Sequence, residues 1–204
     1  RTFRSYLNGR TGTGIVKMRG IVTADISTFL YAPVKNLKPN QLQIEGKTYT
    51  LNTTSPKGLV GQEVDFYITQ KDYEEGNINA ITPTVKNVVC DFSGPQIDKI
   101  SSDSIEFYVA DGKIKVVTNS ATRYIVNNRL DLKFNLATDL VADESVVIRT
   151  VDNNDDEIAD VVYIFDYTDC IVESVSTETN TITFEDGFMF GSTKSIKQEK
   201  KKIY

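Results

Sequence analysis

The sequence predicts an all-β protein made of tandem small β-barrel or β-sandwich modules in a linear array. Its ten Tyr and ten Phe residues, together with frequent Val and Ile, favour strands over helices. Runs in which apolar and polar residues alternate are joined by short turns that contain glycine, as in β-hairpins. The same order of runs and turns occurs more than once along the 204 residues, which is typical of repeat proteins.

A hairpin pattern is present in three copies. Each copy consists of two alternating runs joined by Glu-Gly or Asp-Gly, and glycine accepts the positive φ that a tight turn requires. The copies occupy residues 41–51, 104–116 and 181–190. Apolar segments precede them at residues 21–27, 97–101 and 172–176. The sequence therefore predicts one strand followed by one hairpin, three times over.

A second pattern begins with Leu-Val and is present twice. Leu59-Val60 and Leu140-Val141 lie 81 residues apart, and each leads through a turn that contains Glu into a strand. An acidic connection and a further strand follow in both copies. The connections are residues 70–77 and 152–160, and the strands after them are residues 78–85 and 161–167. Because the order of elements is kept as well as their type, the similarity indicates true repetition.

The two patterns together predict the domain organisation. A first β module spans residues 15–87, a second spans residues 88–168, and residues 169–204 begin a third module that is incomplete. Residues 1–14 have little apolar content and three glycines, as expected of a linker or arm. Residues 130–140 have mixed periodicity and predict either one helical turn or a strand.

Composition argues against several classes of function. No histidine is present, so neither a Ser-His nor a Cys-His nucleophile forms within the chain, and two cysteines are too few for a zinc site. The net charge of −5 disfavours nucleic acid as a partner. No apolar run of about 18 residues and no recognisable signal peptide is present, so membrane insertion is not expected.

The acidic stretch 152–160 is the first candidate for a cation site. Asp152, Asn154 and Asp156 match positions one, three and five of an EF-hand loop, but the loop's glycine and its bidentate glutamate are both missing. A looser oxygen site that also uses Asp160 stays open. A solvated hairpin turn is the simpler interpretation, and no metal site is predicted.

Two sets of carboxylates have the chemistry of a glycosidase pair, but they fall at turn positions and no Trp-lined cleft is indicated. The sets are Asp98, Asp103 and Asp111, and Asp139, Asp143 and Glu144. The glycine-rich segment 9–14 lacks the lysine pattern of a phosphate loop and is interpreted as a flexible arm. No catalytic or cofactor-binding residue is predicted, and the chain is not expected to be an enzyme.

Cys90 and Cys170 fall at equivalent places in successive modules. Equivalent positions in a linear array are a whole module apart, beyond the reach of a disulfide. Both thiols are therefore predicted to be unpaired and at least half-buried. Several aromatic residues alternate along strands, which predicts core and cross-strand packing rather than a base-stacking platform. They are Phe107, Tyr108, Tyr163, Phe165, Tyr167, Phe184, Phe188 and Phe190.

Residues 146–165 contain Asp152-Asn-Asn-Asp-Asp and Ala159-Asp-Val-Val, and related patterns occur at residues 167–176, 181–187, 46–49 and 59–61. These segments resemble the β-rich regions of secreted Gram-positive surface proteins that accompany S-layer-homology domains, and they also resemble modules of phage virion and tail proteins. The pattern of that family has glycine where this chain has Asp156-Glu157. The resemblance implies a non-catalytic structural part without catalytic residues.

We therefore expect a structural or spacer segment of a large extracellular assembly, either a bacterial cell-surface protein or a phage tail or virion component. Its expected partners are proteins of that assembly, with cell-wall glycan as a further candidate, and no cofactor is expected. The alternative is a carbohydrate- or receptor-binding adhesion module that uses the loops at residues 72–77 and 152–156.

Overall fold

Strands dominate the protein, which confirms the predicted all-β class. The structure is a computed structural model, and it describes residues 15–69, 76–166, 172–178, 181–184 and 196–197. The chain divides into two compact units, residues 1–166 and residues 167–204. Among the described residues, strand pairing leaves each sheet open, and none closes into the predicted barrel.

The first repeat, residues 15–87, forms one six-stranded sheet. Its strands are β1 (Ile15–Ala24), β2 (Gln41–Ile44), β3 (Lys47–Leu51), β4 (Glu63–Thr69), β5 (Asn77–Ile78) and β6 (Ala80–Pro83), in the order β5-β3-β2-β1-β4-β6. Only β3 and β5 are parallel neighbours. β1 is long enough to pair with two partners, because Ile15–Ile21 pair with β4 and the end of the strand pairs with β2.

The second repeat, taken as residues 88–166, forms two sheets. Its strands are β7 (Val88–Ser93), β8 (Ile97–Ile100), β9 (Ser104–Val109), β10 (Gly112–Val117), β11 (Arg123–Val126), β12 (Arg129–Leu130), β13 (Val146–Asp152) and β14 (Val161–Asp166). One sheet has the order β10-β9-β8 and the other β12-β11-β14-β13-β7. β7 and β8 are separated only by a 3-10 turn, Gly94–Gln96.

The strand order is the same in both repeats. β7 and β8 together correspond to β1, because β7 pairs with β13 as β1 pairs with β4, and β8 pairs with β9 as β1 pairs with β2. The hairpin β9-β10 corresponds to β2-β3, and β14 pairs with β13 as β6 pairs with β4. A parallel bridge from Val117 to Ile158 matches the parallel pairing of β3 with β5. The repetition predicted from the sequence is therefore present in the strand connections.

The equivalent strand pairs β1-β4 and β7-β13 each carry an arginine-aspartate ion pair, with the two residues on exchanged strands. On β1 and β4, Arg19 Nε lies 2.8 Å from Asp65 Oδ1. On β7 and β13, the acid is on the first strand, and Arg149 Nε lies 2.7 Å from Asp91 Oδ1. Each guanidinium lowers the pKa of the carboxyl group it binds. Opposite charges directly across an antiparallel pair stabilise its register.

The second repeat differs from the first by an insertion. Residues 118–139 connect β10 to the second Leu-Val turn, whereas residues 52–58 make the corresponding connection in the first repeat. The insertion contains β11, β12 and a short helix, α1 (Leu136–Asp139). The N-cap of α1 is Asn135, whose side chain accepts a hydrogen bond from the Ala137 amide. Of the two alternatives for residues 130–140, the helical turn is the correct one.

The predicted hairpin turns form, but the glycine has different roles. Glu45 (φ +49°) and Gly46 (φ +76°) are the two turn residues between β2 and β3, as the Glu-Gly pattern predicts. In the second hairpin Val109 pairs with Gly112, so Gly112 (φ +136°) is the first residue of β10 and not a turn residue. The turn of the third predicted hairpin lies outside the described residues.

Buried apolar residues form two clusters. The inward side chains of β4, Val64, Phe66 and Ile68, are at most 2% exposed and lie in the first cluster. The second cluster belongs to the second repeat and contains Phe92 stacked on Phe107, with ring centroids 3.8 Å apart. The first cluster is not confined to the first repeat, because it also contains Ile125, Val151, Val161 and Tyr163. The two repeats therefore share an apolar core.

In the second unit the structure describes β15 (Val172–Ser176), β16 (Thr181–Phe184) and β17 (Ile196–Lys197), which pair in that order. β15 and β16 are antiparallel. The predicted arm, residues 1–14, lies outside the described residues. Within the part of the chain that the structure describes, no helix has the length and apolar character that a membrane crossing requires.

Candidate functional site

The two repeats meet at a buried junction. We define the junction as the turn at residues 59–63 of the first repeat with Val151, Asn153, Val161 and Tyr163 of the second. Leu59, Val60 and the three apolar residues of the second repeat are all buried in the first cluster. Because apolar area of both repeats is removed from water in one cluster, neither repeat keeps its full core if the other unfolds.

Gly61 allows the closest approach between the repeats. Its φ is +86°, a conformation that favours glycine, and its amide donates to the Val22 carbonyl at 2.8 Å. A Cβ atom at this position would lie 2.7 Å from Val161 Cγ2. The backbone of the first repeat therefore packs directly on a side chain of β14, with no space for a methyl group between them.

Asn153 binds the junction turn through both ends of its amide. Its Oδ1 accepts a hydrogen bond from the Glu63 amide at 2.8 Å, and its Nδ2 donates to the Gly61 carbonyl at 2.8 Å. A single side chain thus pairs with the backbone of the other repeat as a neighbouring strand would. Two backbone groups of the first repeat depend on this contact for their partner.

Tyr163 adds a buried hydrogen bond across the same junction. Its hydroxyl donates to the carbonyl oxygen of Val60, and the side chain is 4% exposed. Burial raises the pKa of Tyr163 well above its usual value, chiefly because the phenolate would lose its hydration. The hydroxyl therefore remains a donor throughout the neutral pH range.

Two contacts outside the buried cluster join the repeats as well. The Thr28 hydroxyl donates to Asn128 Oδ1 at 3.3 Å, and the Arg123 guanidinium lies 5.8 Å from the centroid of the Tyr31 ring. Arg149, already paired with Asp91, also lies against Gly58, where an added Cβ atom would be 2.8 Å from its terminal nitrogen. The junction is therefore apolar at its centre and polar at its edges, as protein interfaces generally are.

The acidic stretch 152–160 is a self-bonded turn that supports the junction. Asp152 is buried, and its two carboxylate oxygens accept the amides of Asn154, Asp155 and Glu157 at 2.8–3.0 Å. Asp160 accepts the Asn153 amide at 2.9 Å, which orients the residue that binds the first repeat. Among the described residues, no group of three or more acidic or cysteine side chains is arranged to hold a metal ion. The carboxylates of Asp152 and Asp160 thus bond to backbone amides of the same stretch.

The carboxylates considered as a catalytic pair make local contacts. Asp98 forms an ion pair with Lys113, which lowers the pKa of Asp98. Asp139 accepts the Asn135 amide at 2.8 Å, and this bond lowers the pKa of Asp139. Asp103 accepts the Ser104 hydroxyl, and Asp143 accepts the Ser145 amide. Asp111 lies in the β9-β10 turn, and Glu144 is exposed.

The remaining candidates have mixed outcomes. Cys90 is a free, half-buried thiol, as predicted, and burial raises its pKa; Cys170 lies outside the described residues. Phe107 and Tyr163 are in the cores, whereas Tyr108 is 50% exposed and contacts Lys113 across the hairpin. Other candidate positions lie wholly or in part outside the described residues. They are the loop at 72–77, the segment at 9–14, and the side chains of Tyr167, Phe184, Phe188 and Phe190.

Comparison of the chain with models of known protein families, with curated proteins and with solved structures finds no match.

The junction was only partly visible in the sequence. The Leu-Val turn and the acidic stretch both stand out as repeat elements, but nothing in their spacing shows that they contact each other. Gly61 carries the one available signal, since the second Leu-Val turn has Ala142 at the matching place and so does not require glycine. Tyr163 and Asn153 read as an ordinary core residue and an ordinary turn residue.

Replacing Tyr163 with Phe is expected to lower the free energy of unfolding by about 1–3 kcal/mol, because the buried Val60 carbonyl loses its donor. The raised pKa adds a pH dependence. A phenol whose pKa is higher in the folded state stabilises fully below its unfolded value of about 10, and this contribution is lost as pH rises above that value. Urea denaturation at pH 7 and above pH 10 measures both effects.

The matched control is Tyr31→Phe, at a tyrosine that is 60% exposed and keeps its ring beneath Arg123. We expect it to change stability by less than about 0.5 kcal/mol. Equal effects of the two substitutions at pH 7 would show that the buried hydroxyl contributes nothing specific to the junction.

Proposed function

We propose that this chain is a non-catalytic structural segment of a large extracellular assembly, in which the two β repeats act as one stiff spacer. The single observation that supports the proposal is the junction, where an apolar cluster runs from one repeat into the other. A protein that holds other parts at a distance requires such coupling between its modules, whereas a string of independent modules bends at each linker.

The composition of the junction supports stiffness in particular. Modules within one chain move relative to each other by default, unless their interface is large and hydrophobic. Here the centre of the interface is buried, and Asn153 and Tyr163 both bind backbone atoms of the opposite repeat. A backbone amide or carbonyl cannot follow a hinge motion by rotating a side chain. Such a motion would therefore have to break these hydrogen bonds together.

We also propose that the first repeat is a small barrel closed by the chain itself. β5 and β6 lie at opposite ends of the strand order, yet only Asn79 separates them. On one side of this segment the Thr50 amide donates to the Gly76 carbonyl at 2.7 Å, and on the other side the Asn79 amide donates to the Tyr67 carbonyl at 2.8 Å. One short segment thus joins the two edges of the sheet, which removes edges that would otherwise pair with other chains.

Native-state hydrogen exchange on the full chain tests both proposals. If the repeats are coupled, the slowest amides of β4 and of β14 will exchange through one opening reaction with the same free energy and the same urea dependence. If the first repeat is a closed barrel, the Thr50 and Asn79 amides will be protected alike. Opening free energies that differ by more than about 2 kcal/mol between the repeats would exclude a single stiff unit.

The extracellular setting rests on the resemblance to surface and virion modules and on the net charge of −5. Immunogold labelling with antibodies against the chain, on producing cells and on purified phage particles, distinguishes the two settings. Label on the envelope supports a surface protein, and label on particles supports a virion component. Label confined to the cell interior would contradict both.

A further inference from the structure

The insertion of the second repeat forms a cleft. Its walls come from residues 118–124, from residues 131–136 and from Ser102 and Asp103, and it encloses about 540 Å³. This volume lies within the range of small-molecule sites. In repeat proteins, an insertion confined to one repeat often supplies the binding face. The cleft is therefore where the second repeat has a feature beyond the shared strand framework.

An aromatic pair lines the cleft. The rings of Tyr124 and Phe134 lie with centroids 5.0 Å apart and planes 33° from parallel. Both side chains are half-buried and pack against the second apolar cluster, so the rings are supported from below while part of each remains open. Supported, partly exposed rings offer the apolar surface on which the C–H face of a sugar ring packs.

The cleft has equal numbers of acidic and basic side chains. Asp103 and Asp131 contribute two negative charges, and Arg123 and Lys133 contribute two positive ones. None of the four forms an ion pair in the part of the chain that the structure describes. A phosphate or sulfate would meet two carboxylates, and a cation would meet two basic groups. The balance favours an uncharged ligand that both accepts and donates hydrogen bonds.

We propose that this cleft binds a neutral carbohydrate, namely a short stretch of an uncharged polysaccharide. Carboxylates and the guanidinium group supply acceptors and donors for vicinal hydroxyl groups, and Tyr124 and Phe134 supply the apolar surface. This proposal places the binding site of the adhesion alternative in the insertion, instead of in the loops at 72–77 and 152–156. The proposal does not depend on the spacer function, because no residue of the buried centre of the junction lines the cleft. Arg123 lines the cleft and also lies over the Tyr31 ring at the polar edge of the junction.

The test is a titration of the isotope-labelled full chain, followed by amide chemical shifts. The probes are oligomers of glucose, of mannose and of N-acetylglucosamine, with a phosphorylated and a uronic-acid oligomer as charged comparisons. We expect at least one neutral oligomer to cause saturable shifts at residues 118–124 and 131–136, with Kd in the micromolar to millimolar range, and the charged oligomers to bind more weakly.

Two variants and one control locate the binding. Ser120→Trp fills the cleft from its rim and should weaken binding at least about ten-fold, and Asp103→Asn removes one charged acceptor and should weaken it about ten-fold. Thr53→Trp places the same side chain on the exposed, corresponding connection of the first repeat and should leave Kd unchanged. The thermal midpoint of each variant identifies any loss of folding, and Asp103→Asn, which keeps its volume, still tests the cleft if Ser120→Trp is unstable.

Three results would overturn the proposal: no shift with any neutral oligomer at about 10 mM, preferred binding of the charged oligomers, or binding that both cleft variants leave intact. The spacer function fails separately, through unequal opening free energies of the two repeats.

Discussion

Gly61→Ala is expected to lower the free energy of unfolding by about 2–4 kcal/mol. About 1–2 kcal/mol comes from a side chain at φ +86°, where a Cβ atom crowds the backbone. The remaining 1–2 kcal/mol, roughly, comes from overpacking, because the new methyl group would lie 2.7 Å from Val161 Cγ2 in the buried junction. Urea denaturation followed by circular dichroism measures the change.

Gly46→Ala is the matched control for this substitution. Gly46 has a similar φ of +76°, but nothing lies within 4 Å of the position its Cβ atom would take. It should therefore show the backbone cost alone, about 1–2 kcal/mol. If both substitutions cost the same, the contact between Gly61 and Val161 carries no stability, and the buried junction would be a weak interface.

A second consequence concerns the coupling of the repeats. The methyl group that Gly61→Ala adds pushes the two surfaces of the junction apart. Native-state hydrogen exchange of this variant should therefore show opening free energies that differ between the two repeats. In Gly46→Ala they should fall together, because the hairpin between β2 and β3 is remote in sequence from the junction turn.

Gly94→Ala is expected to cost at least about 3 kcal/mol, and it is the more damaging of the two substitutions. Gly94 begins the turn between β7 and β8, where the strand pair to β13 gives way to the strand pair to β9. A Cβ atom would lie 1.7 Å from the carbonyl oxygen of Asp143 and 2.8 Å from its carbonyl carbon. Backbone atoms cannot rotate away, so either the corner or the turn before β13 must move.

Gly20→Ala is the control for Gly94→Ala. Gly20 is also buried, and its Cβ atom would lie 2.8 Å from Ile44 Cγ2 and 2.9 Å from Glu45 Cγ. These are side-chain atoms, which can give way by a few tenths of an ångström more readily than backbone atoms, so we expect a loss of about 1–2 kcal/mol. Thermal and urea unfolding of both variants gives the comparison. A Gly20→Ala loss as large as that of Gly94→Ala would contradict the assignment of the cost to backbone collision.

The strand class, the order of the elements and the recurrence of that order could be predicted from the sequence. The alternation of apolar and polar residues along β4 and β13 predicts which side chains point inward, and Gly46 predicts a turn with positive φ. These are properties of neighbouring residues, and local sequence specifies them because side chains alternate with period two and few residues accept positive φ. Gly112 was predicted to lie in a turn but is the first residue of β10, so the sequence places this turn only to within one residue.

The partners of the inward side chains could not be predicted, because they depend on contacts between distant segments. The bonds of Asn153 and Tyr163 to the first repeat join residues 90 to 103 positions apart. The sequence presented residues 15–87 and 88–168 as successive modules, and the structure shows that they share an apolar cluster. Alternation specifies that a face is buried, but contacts distant in the chain depend on how the sheets meet. How the sheets meet depends on the apolar area buried and the backbone hydrogen bonds formed over both repeats together, which no single segment encodes.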